Sequence, residues 1–266
     1  MWTFVSPQVN GVSFEEQLKR QEAFKSLCRA AAKGDFEEVY TLVEQNGVDI
    51  LECADAEGFT ALHFAAANGH RNTVRIILQV SPDPAHLARK QTEPQSRQVT
   101  PLHLACLRGH TKCVADLLQC VGREAFQLMD AYGRTCGHCA AESGSVALMA
   151  SLIDLNDIRL LQTKTKRWWL PFHEACYKGD AAMVDTIVKH TIPHLLESTT
   201  DEGLSALHLA AHAGHAAVVS LLLLDEATAT LLHKSTVREG QTALPCGRGQ
   251  GPQGGGGRAA TARVSC

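Results

Sequence analysis

A recurring glycine constrains the fold of this chain more than any other feature of its sequence. Six glycines, each at the end of a similar short segment, stand at positions 34, 69, 109, 144, 179 and 214, so the intervals are 35, 40, 35, 35 and 35. Five histidines keep the same register, at positions 63, 103, 138, 173 and 208. A fixed period in this range is typical of stacked supersecondary units.

Each copy predicts two short helices. The first is rich in alanine and ends at the recurring glycine, because a residue without a Cβ accepts the left-handed backbone of a helix C-cap. The second follows at once, as in Thr73–Leu78, and its apolar residues are spaced to bury one face. None of these units can bury that face alone, so the sequence predicts a stack in which each unit is stabilised by its neighbours.

The Thr-Pro-Leu-His-Leu-Ala string at 100–105 and the Gly-His pairs that follow the first helices closely resemble the ankyrin repeat family. The resemblance spans about residues 26 to 232. It implies an all-α ankyrin-repeat solenoid of about six helix pairs, whose loop tips and first-helix face bind a partner protein. It also implies that the motif histidines form hydrogen bonds between repeats, namely His63, His103, His138, His173 and His208.

The register of the repeats divides the chain into domains. Residues 1–25 are an N-terminal segment with a capping helix, since Ser13 and Glu16 fit a capping box. Residues 233–266 start a seventh repeat but continue as a Gly/Arg-rich tail that cannot bury a core, so we predict disorder and interpret it as the product of a splice variant or shifted reading frame. The repeats between them are assigned to 26–54, 55–97, 98–129, 130–164, 165–200 and 201–232.

The copies also depart from a uniform pattern. An apolar residue recurs at 126, 161, 196 and 231, which predicts one extra helical turn in the later linkers, whereas the first linker looks like a common loop. Surplus polar and Pro-bearing sequence at 81–97 predicts a surface loop. Gly137 stands where other copies have Leu or Phe, so we expect the fourth repeat to lack a core side chain.

Two adjacent tryptophans beside basic residues mark a candidate binding site at a loop tip. Trp168 replaces the turn glycine found at 58, 133 and 203, and Trp and Arg are enriched at binding hot spots. One of the two rings could instead cover a neighbouring repeat, and for Trp169 we favour exposure. Other positions that vary between copies carry further basic and aromatic side chains. Together these residues predict a groove for an acidic or aromatic-bearing protein partner. The alternative is that they form an ordinary solvated face. The set is Arg108, Tyr132, Arg134, Arg167, Trp168, Trp169, Tyr177 and Lys178.

Composition and charge argue against a nucleic-acid-binding, a membrane-spanning or a secreted protein. The net charge of −3 gives no global attraction to nucleic acid, and no apolar run is long enough for a membrane span. Ten cysteines without a secretory signal indicate reduced thiols and a cytoplasmic or nuclear protein. We expect no catalytic residues, no metal and no cofactor.

Three alternatives remain. Cys136-Gly-His-Cys139 matches the active-site string of thiol–disulfide oxidoreductases, although that fold requires a strand before the motif. A second is that these repeats are the N-terminal module of a larger channel or multidomain protein, present here as a truncated isoform. The third is a zinc site, although the repeat spacing already explains each residue that it would use: His103, Cys106, His138, Cys139 and Cys176.

Overall fold

The computed structural model describes residues 14–156, 159–190 and 196–224. These residues form short helices and no strand, as the period predicts. The chain divides into two compact units, residues 1–166 and 167–266. The predicted capping box at Ser13, the apolar position at Leu231 and the predicted tail at 233–266 lie outside the described residues.

The described part of the first unit contains ten α-helices, which are four helix pairs and two linker helices. They are α1 (Phe14–Lys33), α2 (Phe36–Asn46), α3 (Ala61–Ala67), α4 (Arg71–Val80), α5 (Pro84–Arg89), α6 (Pro101–Leu107), α7 (Thr111–Val121), α8 (Cys136–Ser143), α9 (Val146–Asn156) and α10 (Arg159–Gln162). Turns of 3₁₀-helix lie at Val48–Glu52, Pro94–Ser96 and Arg123–Gln127. The second unit contributes α11 (Pro171–Lys178), α12 (Ala181–His190), α13 (Ala206–His212) and α14 (Ala216–Leu224).

Within each unit the helix pairs stack in two layers. In the first unit α1, α3, α6 and α8 pack in succession, and α2, α4, α7 and α9 form the second layer. In the second unit α11 packs against α13 and α12 against α14. Ala65 and Ala66 of α3 and Ala140 and Ala141 of α8 are fully buried. Side chains this small allow the first helices to pack at short distance.

The recurring glycines adopt the left-handed backbone that the sequence predicts, with φ 74 at Gly69. A Cβ at Gly69 would lie 2.6 Å from Nδ1 of His110, because the imidazole of the next repeat packs against this glycine. Nε2 of His110 lies 3.1 Å from the carbonyl oxygen of Ala67 and donates to it. Glycine is therefore required at this position both for its backbone conformation and for its lack of a side chain.

Helix α1 spans residues 14–33, so the N-terminal helix and the first helix of repeat one are continuous. One predicted linker differs in the structure. The surface loop predicted at 81–97 is wrong for 84–89, which form α5 with Leu87 fully buried. Asp83 caps this helix by accepting a hydrogen bond from the backbone N–H of His86 at 2.9 Å, and Pro84 is its first residue.

The linkers contain the predicted extra turns. Phe126 is buried in a 3₁₀ turn and Leu161 is buried in α10, which confirms the prediction at these two positions. The first linker carries such a turn as well, with Leu51 buried in it, although its sequence suggested a common loop. The fourth repeat does not lack a core side chain, since Leu160 of α10 fills the space beside Gly137.

Candidate functional site

His63 joins the start of its own first helix to the following repeat. Its Nδ1 accepts a hydrogen bond from the backbone N–H of Thr60 at 3.1 Å, and its Nε2 lies 3.3 Å from the carbonyl oxygen of Val99. Because Nδ1 is the acceptor, the ring proton is assigned to Nε2, which donates to Val99. This pair of contacts requires a neutral imidazole.

The other motif histidines occupy equivalent positions. Nδ1 of His103 accepts from the backbone N–H of Thr100 at 3.3 Å, and its Nε2 lies 3.2 and 3.1 Å from the carbonyl oxygens of Leu128 and Arg134. The backbone N–H three residues earlier also donates to Nδ1 of His138, His173 and His208. The geometry therefore makes these side chains part of the scaffold and not of an exposed site.

Burial keeps two of these histidines neutral. Removal from water lowers the pKa of His63 to about 4, because burial disfavours the charged imidazolium. The pKa of His103 is lowered for the same reason. Both ring nitrogens of each side chain are already engaged in hydrogen bonds. Neither ring is available to a partner or a metal ion.

The loops that precede the first helices are joined at their tips by backbone hydrogen bonds, which we call the tip ladder. In each rung one N–H donates to a carbonyl oxygen: Glu93 to Glu57 at 2.9 Å, Ala131 to Arg97 at 2.8 Å and Lys166 to Tyr132 at 3.0 Å in the first unit, and Asp201 to Arg167 at 3.2 Å in the second. Because the rungs use backbone atoms, they leave the tip side chains free to differ between repeats.

Tyr132 is exposed at one of these tips, beside two arginines. The guanidinium carbons of Arg97 and Arg134 lie 5.9 and 5.5 Å from the centre of its ring, within the range of a cation–π interaction. The side chain remains 52% exposed. The tip therefore offers a positioned aromatic surface to a partner.

Arg134 is engaged in an internal ion-pair network. Its Nε donates to Oδ2 of Asp130 at 2.7 Å and its Nη1 to Oε2 of Glu142 at 2.8 Å, and only 14% of its side chain is exposed. Oδ1 of Asp130 also accepts from the backbone N–H groups of Tyr132 and Arg134. The charge of Arg134 is thus neutralised within its own repeat, and the side chain stabilises the tip.

The two tryptophans have different environments in the second unit. Trp168 has a left-handed backbone, with φ 59, at the position of the turn glycine, and 57% of it is exposed. The exposure expected for Trp169 is wrong, because this side chain is half-buried and meets Tyr177 edge-on at 5.6 Å between ring centres. Trp168 is therefore the tryptophan that presents its ring to solvent.

The remaining predicted residues lie at tips and helix ends. Arg108 is the exposed C-cap residue of α6, and Tyr177 and Lys178 are exposed in the last turn of α11. Arg167 is exposed at its tip and pairs with Glu202 at 2.7 Å. Arg108, Tyr132 and Arg134 belong to the first unit and the other five predicted residues to the second. Each unit thus carries its own part of the predicted set.

Sequence reasoning missed two exposed cations of the first unit, Arg97 and Lys166. Arg97 contacts Tyr132, and the backbone of Lys166 bonds to Tyr132. The signal was present for Arg97, because it stands 35 residues before Tyr132 and hence at the same tip position. It was overlooked because it falls in the stretch with surplus residues.

Cys136 and Cys139 lie inside the stack, where both are buried. Burial raises the pKa of the Cys139 thiol far above its ordinary value. A catalytic thiol of an oxidoreductase needs a lowered pKa and access to substrate. No strand precedes the motif within residues 14–156, so the environment counts against the redox alternative.

The geometry gives no support to the zinc alternative. Among residues 14–156, 159–190 and 196–224, no three His, Cys, Asp or Glu side chains are placed to hold a metal ion. The ring of His103 is already engaged by backbone groups on both nitrogens. A structural zinc ion requires four such ligands in tetrahedral arrangement.

Comparison with known protein families agrees with this geometry. A family described as "Ankyrin repeats (many copies)" matches residues 27–78, and one described as "Ankyrin repeats (3 copies)" matches residues 85–164 and 172–246. The chain belongs to the ankyrin repeat family. The last ankyrin match includes residues 238–244, where the sequence predicts the start of a seventh copy.

Several curated proteins contain ankyrin segments similar to this chain. Probable E3 ubiquitin-protein ligase XBOS31 of Oryza sativa subsp. japonica is 32% identical over 127 residues, which is 48% of this chain and 27% of that protein. Transient receptor potential cation channel subfamily A member 1 of Homo sapiens is 38% identical over 95 residues, or 36% of this chain and 8% of the channel. Ankyrin repeat domain-containing protein 40 of Mus musculus is 38% identical over 77 residues, or 29% of this chain and 21% of that protein.

The matched region covers only about a quarter or less of each of these three relatives. The shared feature is therefore the ankyrin repeat, which is a protein-interaction module in many different proteins. Within the described residues, no helix has the length and apolar character needed to cross a membrane.

Proposed function

We propose that this ankyrin-repeat chain is a non-catalytic adaptor or scaffold that holds a partner protein through its loop tips and first-helix faces. One observation carries the proposal: each unit exposes a large aromatic side chain at a tip whose backbone is fixed, Tyr132 in the first and Trp168 in the second. Aromatic side chains with restricted conformations dominate binding hot spots, because little entropy is lost when they are buried by a partner.

The backbone of Trp168 supports this reading. A residue with a Cβ costs about 1–2 kcal/mol in the left-handed region, and such strain is concentrated at functional sites. The copies at 58, 133 and 203 have glycine at the same turn position and avoid this cost, whereas Gln98 occupies it in the remaining copy with φ 52. A retained tryptophan with φ 59 is accounted for if its exposed indole binds a partner.

Affinity capture with quantitative mass spectrometry tests the proposal, using the wild-type chain, Trp168→Gly, Tyr132→Ser and the control Arg75→Gln. Arg75 is an exposed residue of α4 and not of a tip. We expect one set of proteins to be recovered with the wild type and Arg75→Gln and to be depleted at least about fivefold with a tip variant, since hot-spot truncation costs more than about 1 kcal/mol. Equal recovery with all four proteins would contradict the proposal.

A second proposal is that the same module acts within a larger channel or multidomain protein. The observation that favours it is that the matched relatives, a channel and a ligase among them, are much longer than the matched region. Immunoblotting with an antibody raised against the repeats distinguishes the two proposals. A band well above 28.7 kDa supports the larger protein, whereas a single band at that mass contradicts it.

A further inference from the structure

Three neighbouring tip residues of the first unit form an exposed row that the function proposed above does not specify. The row consists of Arg97, Tyr132 and Lys166, and we call it the tip ridge. Two rungs of the tip ladder connect it, from Ala131 to Arg97 at 2.8 Å and from Lys166 to Tyr132 at 3.0 Å. The order along the tips is therefore cation, aromatic ring, cation.

The two cations of the tip ridge are not neutralised by the residues that the structure describes. The acidic side chains of Asp130, two residues before Tyr132, and of Glu142 both pair with Arg134. No ion pair of Arg97 or Lys166 is found among residues 14–156 and 159–166. An acidic ligand can thus bind here without displacing an internal carboxylate.

The two residues joined by the neighbouring rung have acidic side chains. Glu57 and Glu93 are both exposed and their backbones are joined at 2.9 Å. An acidic segment is repelled by this rung and attracted by the tip ridge, so the change of sign along the tips restricts where such a segment binds.

Arg97 is held in place before any partner binds. Its backbone has φ 73, its N–H donates to the carbonyl oxygen of Pro94 at 3.3 Å, and its guanidinium lies over the ring of Tyr132. A fixed guanidinium loses less entropy when it binds a carboxylate, and its planar fork matches both carboxylate oxygens.

The spacing of the cations sets the length of the ligand. Two rungs and one residue separate Arg97 from Lys166, so their Cα atoms lie at most about 14 Å apart, given about 4.8 Å across a rung and about 3.8 Å along the chain. An extended peptide rises about 3.3 Å per residue, so about four residues cover this distance.

We propose that the tip ridge binds an extended acidic segment of a partner protein, with one carboxylate on Arg97, a second about four residues away on Lys166, and an apolar side chain against Tyr132. The proposal rests on the function proposed above, in which the tips hold a protein. It adds the chemistry of the bound segment and identifies the side chains that recognise it.

A fluorescein-labelled peptide tests this assignment by fluorescence anisotropy with the full chain. Its sequence is Gly-Glu-Ser-Phe-Ser-Glu-Gly, and the matched peptide has Gln in place of both Glu residues. We expect the glutamate peptide to bind several-fold more tightly than the glutamine peptide, and the difference to shrink when salt is raised from about 0.05 M to about 0.5 M, because exposed charges are screened. Equal binding of the two peptides overturns the proposal.

Variants locate the binding site. Arg97→Gln and Lys166→Gln should each weaken binding of the glutamate peptide about threefold and the double variant about tenfold, as expected for exposed charge pairs. Arg75→Gln removes the same charge from exposed α4 and should leave binding unchanged. A loss with Arg75→Gln equal to that with Arg97→Gln overturns the proposal, since it indicates non-specific attraction. Circular dichroism checks that each variant is folded.

The outcomes separate this inference from the function on which it rests. If Trp168→Gly or Tyr132→Ser depletes captured proteins but the glutamate peptide does not bind, the tips hold a protein of other chemistry and only the acidic segment is overturned. If an oligothymidylate displaces the bound peptide at lower concentration than unlabelled glutamate peptide does, the ridge is a nucleic-acid site and the acidic segment is overturned as well.

Discussion

The side chain of Leu160 occupies the space beside Gly137. A Cβ placed on Gly137 would lie 2.8 Å from both Cγ and Cδ1 of Leu160, and Leu160 is 2% exposed. A residue of the linker helix α10 thus replaces the core side chain that other repeats supply from their first helix. Leu160→Ala should lower the free energy of unfolding by about 3 kcal/mol, because it leaves a cavity in the fourth repeat.

A double-mutant cycle isolates this relationship. Gly137→Leu alone should destabilise the chain by about 1–3 kcal/mol through overpacking against Leu160. Combined with Leu160→Ala, the new leucine fills the vacated space, so the double variant should lose clearly less than the sum of the two single losses. Urea denaturation followed by circular dichroism measures all three values. Additive losses would show that the two positions do not share one space.

The backbone of Trp168 gives a second prediction. Trp168→Gly removes the Cβ from a left-handed residue, whereas Trp168→Ala removes the indole and keeps the strain. The glycine variant should therefore be more stable than the alanine variant by about 1 kcal/mol, the reverse of their order in a helix. Thermal unfolding of the two variants side by side measures the difference. A more stable alanine variant would contradict the assigned backbone.

The lowered pKa values of the buried histidines predict that the folded chain loses stability in acid. His63 has a folded pKa of about 4 and an ordinary unfolded pKa of 6.5, so between these values the unfolded chain binds more protons than the folded chain. Above pH 6.5 the neutral His63 contributes about 3 kcal/mol to the free energy of unfolding. This contribution is lost as the pH falls toward about 4. His103 acts in the same direction.

The variant His63→Gln separates this effect from the titration of carboxylates. It should be less stable than the wild type near neutral pH, since it disturbs the hydrogen bonds to Thr60 and Val99, by about 2 kcal/mol. Its urea midpoint should fall less than that of the wild type when the pH is lowered from about 7 to about 4.5. Parallel pH profiles of the two proteins would assign the acid sensitivity to other groups.

Arg134 and Arg97 provide a matched pair of charge reversals. Arg134→Glu leaves the buried carboxylate of Asp130 without a counter-ion and should cost about 3–5 kcal/mol. Arg97→Glu changes an exposed residue and should alter stability by about 0.5 kcal/mol or less. Chemical denaturation of both variants checks this order. The result decides whether loss of binding by an Arg134 variant can be attributed to a contact or to unfolding.

Thiol labelling tests the environment of the Cys136–Cys139 segment. Both thiols are buried and the pKa of Cys139 is raised, so N-ethylmaleimide should modify them only after denaturant is added. Cys120 is partly exposed and serves as an internal comparison that is labelled faster in the native chain. Peptide mapping by mass spectrometry gives the rates. Rapid labelling of Cys139 in the folded chain, together with reduction of insulin by this protein, would support the oxidoreductase alternative.

The period of the sequence was sufficient to predict the helix pairs, the left-handed glycines and the family. These features depend on local chemistry that every copy repeats, such as the glycine at 69 and the alanines before it. Helix α5 was also readable, because Asp83 followed by Pro84 is a helix-start signal that was outweighed by the number of polar residues around it.

Other features depend on contacts between residues that are not adjacent in the sequence, and the repeat pattern does not indicate these contacts. Nothing near Gly137 indicates that Leu160 fills its space, since the two residues are brought together only by the fold. The ion pairs of Arg134 depend likewise on its approach to Glu142 along α8. The burial of Trp169 follows from its contact with Tyr177, whereas variation between copies suggested exposure.

The tip ladder has a consequence for how this protein can change its specificity. Main-chain atoms of Arg97 and Tyr132 form the rungs, so exchanging those side chains leaves every rung intact. Recognition and folding are thereby carried by different atoms of the same residues. New ligand preferences can arise by substitution at Arg97 and Tyr132, in evolution or by design, on a framework whose stability those two substitutions scarcely affect.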